Sequence, residues 1–128
     1  MNKKIILTGL TFGIISIVLG AFGAHALKKM LSVDQLSSFE VGVKYLMYQA
    51  FFLFFVGTTQ MLLAKQKRII FYLMLVGTIL FSGSIFLLTT KNVSGIDFKF
   101  LGPITPIGGL FIIISWGITF DYIVVKKE

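Results

Sequence analysis

The side chains in this chain that could do chemistry are few and scattered. His25 is the one histidine, and cysteine is absent. A lone histidine can sense pH or shuttle a proton, because it titrates near neutrality. His25, however, closes a long apolar run, where a helix C-terminus favours the protonated ring; a structural pairing with Glu40 or a backbone carbonyl is the expected role. Ser82-Gly83-Ser84 offers hydroxyls, but no His–Asp arrangement accompanies them, and close helix packing accounts for the triplet better. One histidine and scattered carboxylates do not make a zinc ligand set, and without cysteine there is no disulfide, thiolate nucleophile or lipidated Cys. No catalytic residue, metal site or cofactor is therefore expected. The remaining polar candidates are Glu40, Gln49 and Thr105.

The elements that must position these residues are hydrophobic. Of 128 residues 56% are apolar and only 13% are charged, against roughly a quarter charged in a soluble domain. A globule this poor in charge could not cover its surface with polar groups. Four long apolar runs, 5–26, 45–64 and 69–90 without a charge and 105–125 with Asp121 alone near its end, each reach the roughly 20 residues a helix needs to cross hydrocarbon. They are continuously apolar rather than alternating, which predicts helices and not a barrel. The expected fold is an all-α membrane protein: a single domain over 1–128, an antiparallel bundle of four transmembrane helices.

The formal charge of +7 does not point to nucleic acid. The cations sit in small groups at the edges of the apolar runs, as membrane topology requires, and form no basic stripe interleaved with aromatics. The partner implied is the lipid bilayer.

The connecting segments carry further signals. Lys3-Lys4, an apolar core and Ala24-His25-Ala26 resemble a secretory signal with its cleavage site, but the core is longer than such signals use. Gly9, Gly13, Gly20 and Ala24 also form a small-residue stripe suited to helix packing in lipid, so a retained first span is expected. In 32–44, Val33, Leu36, Phe39 and Val43 recur at helical spacing among polar residues. This predicts a short amphipathic surface helix, capped by Ser32 and running into the second span. Lys65-Gln66-Lys67-Arg68 is expected to be the short loop of a helical hairpin. Thr105 reads as the N-cap of the fourth span, with Pro106 as its first helical residue. Trp116 sits in mid-span, where packing is its expected role, and Asp121 is expected to pair with nearby lysines.

With alternating spans, seven Lys/Arg fall on one side (Lys3, Lys4, Lys65, Lys67, Arg68, Lys126, Lys127) and five on the other. The positive-inside rule then puts both termini in the cytoplasm. His25, Glu40, Gln49, Ser82, Ser84 and Thr105 all fall within roughly 5–15 Å of the opposite, outer boundary. Two readings follow. These six converge into one polar pocket, since polar groups in lipid are often functional; or they hydrogen-bond helices together in an otherwise inert bundle. The first reading leaves two functional classes. One is a small-solute or ion pathway through an oligomer. The other is an accessory subunit that binds a membrane protein or a lipid headgroup at the outer pocket.

Several blocks of sequence resemble a known family. Gly20-Ala21-Phe22-Gly23-Ala24-His25-Ala26-Leu27-Lys28 is similar to the signature of the domain-of-unknown-function 423 family, the YwdK/YgdD-like small membrane proteins of bacteria, which have eukaryotic relatives. Phe39-Glu40, Gly42-Val43 and Tyr45 match its second block. Phe81-Ser82-Gly83-Ser84 matches the third, and the run from Leu101-Gly102 through Ile104-Thr105-Pro106-Ile107-Gly108-Gly109 the fourth. The resemblance implies four spans in the cytoplasmic membrane and no established activity, substrate or cofactor. The family often carries histidine where Gln49 stands and a polar residue where Leu46 stands, so no two-histidine chemistry carries over to this chain.

Overall fold

The structure, a computed structural model, describes residues 2–127. Four long helices dominate it: α1 (Asn2–Leu27), α2 (Val33–Thr58), α3 (Ala64–Thr89) and α4 (Ile104–Val124). The first three have 26 residues each, about 39 Å of helix, more than the roughly 30 Å hydrocarbon core. All four are long and apolar enough to cross a membrane, as the uninterrupted apolar runs require. Both α1 and α3 contain one π turn, Leu19–Gly23 and Ile79–Gly83. Between α3 and α4 lie a single helical turn, Lys91–Ser94, and a 3-10 turn, Lys99–Leu101. Gly95, with φ of 74°, reverses the chain between them, a conformation open to glycine at no steric cost.

Three boundaries differ from the sequence reading. The 32–44 segment runs into the second span as expected, but with no boundary between them: it is the first turns of α2, one unbroken helix from Val33 to Thr58. Nothing in it breaks a helix, and part of its apolar face packs on protein: Leu36 and Val43 are half-buried, while Val33 is exposed. Phe39 is buried with its ring 5.3 Å from that of Phe86. Ser32 does cap α2, accepting the Gln35 N–H while the Gln35 side chain accepts the Ser32 N–H. Second, Lys65-Gln66-Lys67-Arg68 is not the hairpin loop. α2 ends at Thr58, where Thr59 turns extended, and the link is 59–63. The four residues form the opening of α3, where the Gln66 side chain accepts the Leu63 N–H at 2.9 Å. Third, α4 starts at Ile104 with Pro103 at the cap position, and Thr105 caps nothing. Its hydroxyl is engaged by Ser84 instead. Pro106 still lies among the first helical residues, whose N–H groups have no intrahelical acceptor.

α2 and α3 form the centre, with α1 packed on α2 and α4 on α3. The apolar windows of α2 and α3 are 44% and 39% buried, against 22% for those of α1 and α4. The Gly9–Gly13–Gly20 stripe faces α2. A Cβ on Gly9 would lie 3.1 Å from the Ala50 carbonyl oxygen, and one on Gly20 would lie 3.2 Å from Val43. The side chain of Ala24, the fourth member of the stripe, lies outside the described residues. Contacts that climb α1 from Gly9 to Gly20 thus descend α2 from Ala50 to Val43. The α3–α4 pair likewise runs from Ser115 against Ile70 to Thr105 against Ser84. The core they enclose includes Ile5, Leu53, Val56, Ile70, Phe71 and Met74.

Candidate functional site

In hydrocarbon a hydroxyl has no water to bond, so each buried one must find a partner within the protein. Ser82, 2% exposed in the π turn of α3, donates to the Gly42 carbonyl of α2 at 2.9 Å. Ser16 on α1 donates to the next carbonyl, that of Val43, also at 2.9 Å. Consecutive carbonyls of α2 are therefore held from two sides, by α3 and by α1. Gly42 admits this approach because its missing side chain leaves room for Ile85 and Phe86.

Ser84 lies two residues beyond Ser82, roughly 200° around an ideal helix. It faces the other neighbour, where its hydroxyl pairs with that of Thr105 on α4 and donates to the Phe81 carbonyl. Gln49 is buried on α2, and its Oε1 accepts the indole N–H of Trp116 at 2.9 Å. The indole stacks on Phe52, 4.4 Å between centroids and 15° between planes. This one side chain bridges α4 to α2 across a gap that backbone packing leaves open.

The six sequence candidates are therefore not gathered into one pocket. Ser84 and Thr105 come together. Ser82 and Gln49 have separate partners on separate faces, and His25 and Glu40 are exposed. Spacing explains the split: residues two apart on a helix cannot share a face. Thr105 does line a concavity, a groove of about 350 Å³ between α2, α3 and α4 that Ser38, Val41, Ile85, Leu88 and Thr89 complete. Glu40 borders a second one, about 340 Å³, with Lys28, Ser32 and Leu36. Asp121 is exposed on α4. Among the described residues, no three His, Asp or Glu side chains gather where they could hold a metal ion.

The sequence reading missed several interior groups, Ser16 and Lys67 among them. Ser16 continues the Gly9–Gly13–Gly20 stripe at steps of three and four, so its place against α2 could have been read from spacing. Lys67 is 5% exposed and donates to Asn2 Oδ1 at 3.0 Å; a lysine in a charged run gives no such signal.

Comparison with known proteins bears on the whole arrangement. A family model described as protein of unknown function, DUF423, matches residues 19–109. The chain belongs to this family. The matched stretch opens on the first π turn and closes on Gly109, so it contains both π turns, the Ser82–Gly42 bond and the Ser84–Thr105 pair. Among relatives, the UPF0382 membrane protein YwdK of Bacillus subtilis is 37% identical, over 89% of this chain and 90% of its own length. The UPF0382 membrane protein SH2409 of Staphylococcus haemolyticus is 34% identical over 89% of each chain. The UPF0382 inner membrane protein YgdD of Escherichia coli is 30% identical, over 83% of this chain and 78% of its own length. No solved structure matches the chain. This DUF423 member is thus an integral membrane protein of a family without an assigned molecular function, and nothing in the match carries an enzymatic signature.

Proposed function

We propose that the protein is a non-catalytic accessory subunit of the plasma membrane, with both termini in the cytoplasm, that acts by binding another membrane protein. The observation behind this reading is how the polar interior is used. Among the described residues, no buried side-chain nitrogen or oxygen lacks a hydrogen-bond partner. Ser16, Ser82, Ser84, Gln49 and Ser115 each join one helix to another, so none is left to face a substrate or line an ion path. What remains open is surface: the lipid-facing sides of α1 and α4, and the groove around Thr105. The seven-to-five cation balance supports the orientation.

Affinity capture of the full chain in mild detergent tests the reading. One membrane protein should be recovered in stoichiometric amount, and Leu88→Trp, which fills the groove, should release it. Capture unaffected by Leu88→Trp and by Thr105→Trp places the partner elsewhere. Solute flux above that of empty vesicles, from oligomeric protein in liposomes, rejects the reading in favour of a pathway.

A further inference from the structure

Seven of the chain's twelve cations gather at the end of the bundle where α1 and α3 begin. Two of them reach across the gap between those helices and finish on neutral groups. Lys67, from α3, is 5% exposed and donates to the amide oxygen of Asn2. An ammonium has three donors and carries a full charge, and among the described residues its hydrogen-bond partner is this neutral amide, not a carboxylate. Lys4, from α1, donates to the Tyr72 hydroxyl at 2.9 Å and lies 5.2 and 5.7 Å from the ring centres of Tyr72 and Phe71. Among the described residues Asp121, the carboxylate on the last turns of α4, is exposed and pairs with neither lysine. Beside Lys4 lies a shallow, open groove of about 400 Å³ on the face of α1 alone, lined by Lys3, Lys4, Leu7, Thr8 and Thr11. The Thr8 and Thr11 hydroxyls donate to backbone carbonyls of their own helix, Lys4 and Leu7, so the groove becomes less polar away from the lysines.

Lysines at the edge of a span, with an open and less polar helix face running on from them, are the complement of a phospholipid. We propose that this end of the bundle binds an anionic phospholipid. Lys3 and Lys4 hold its phosphate, Lys67 adds positive charge from α3 beside them, and one acyl chain lies along Leu7 and Thr11. The charge complementarity and the amphiphilic run of the groove select a lipid over a soluble anion. The site is at the opposite end from the groove around Thr105, so it stands or falls separately from the binding role proposed above.

Native mass spectrometry of the full chain in detergent, given equal amounts of phosphatidylglycerol and phosphatidylcholine with matched chains, tests this. Phosphatidylglycerol should dominate the bound lipid. Lys4→Gln and Lys67→Gln should each lower the ratio about fivefold, the effect of one near-surface cation. Lys127→Gln, at the same end but outside the groove, should lower it less. Equal retention of the two lipids overturns the proposal, as do equal falls for all three variants, which mark diffuse attraction. Displacement of the lipid by inorganic phosphate identifies a free-anion site and also overturns it. Should Lys67→Gln fail to give a monodisperse species, Lys4→Gln against Lys127→Gln decides.

Discussion

The Ser82 hydroxyl and the Gly42 carbonyl meet at 2.9 Å in the buried contact between α3 and α2. A bond of this kind contributes about 0.6 kcal/mol on average in a membrane, and up to about 1.7 kcal/mol. Ser82→Ala should therefore lower the unfolding free energy by about 1 kcal/mol, because the carbonyl it leaves already accepts within the helix. Ser94→Ala, in the exposed turn, should change it by less than about 0.5 kcal/mol. Denaturant titration of the detergent-solubilised protein measures both.

Gly108 makes the tightest helix contact. A Cβ there would meet the backbone of α3, with the Leu80 carbonyl carbon at 2.7 Å and the Gly77 oxygen at 2.8 Å. Backbone cannot rotate aside as a side chain can, so Gly108→Ala should destabilise by about 1–3 kcal/mol, the range for overpacking. Gly117→Ala lies on the same helix with nothing within 4 Å, and should be neutral or slightly stabilising. Thermal unfolding of the pair separates crowding from helix propensity.

Trp116 is the chain's single tryptophan, so its fluorescence reports one site. It is 48% exposed on a face turned to lipid. Lipids brominated near mid-chain should quench it strongly, and an aqueous quencher should not. Gln49→Leu removes the acceptor of the indole N–H and should shift the emission to shorter wavelength while leaving the quenching by lipid in place. Weak quenching by mid-chain bromine would refute the depth assigned to α4.

Ser84 and Thr105 act as a pair, so their substitutions should not add. Ser84→Ala alone leaves the Thr105 hydroxyl without this partner, and Thr105→Ala alone leaves Ser84 only its bond to the Phe81 carbonyl. The double variant removes both. A double-mutant cycle should give a coupling of about 0.5–1.7 kcal/mol; additivity within about 0.3 kcal/mol would show that the two hydroxyls do not interact.

Residue types alone made the four helices legible, because uninterrupted apolar runs of span length admit few other readings. The α1–α2 seam was legible too, through the glycine spacing in α1. Helix ends were less so. The Lys65–Arg68 run reads as a loop by charge, yet the Gln66 side chain draws it into α3 by accepting the Leu63 N–H. Thr105 reads as a cap by type, and a hydroxyl on another helix claims it. Of the two readings of the polar residues, helix-to-helix bonding fits Ser82, Ser84, Thr105 and Gln49; the single pocket does not, because depth along the bundle was read without angle around it. Ser82 and Ser84 share a depth and face opposite neighbours. Ala24 belongs to the stripe by spacing, and its side chain is not among those described.

Each π turn holds one residue more than the α turn it replaces. Removing a residue from an ordinary stretch of helix would rotate everything beyond it by about 100° and advance it about 1.5 Å, which would turn Ser84 away from Thr105. Removing one from Leu19–Gly23 or Ile79–Gly83 instead lets that turn relax to α geometry, with the residues beyond it keeping their facing. Chain length can therefore vary by one at two places in this bundle without disturbing which helix each downstream side chain meets.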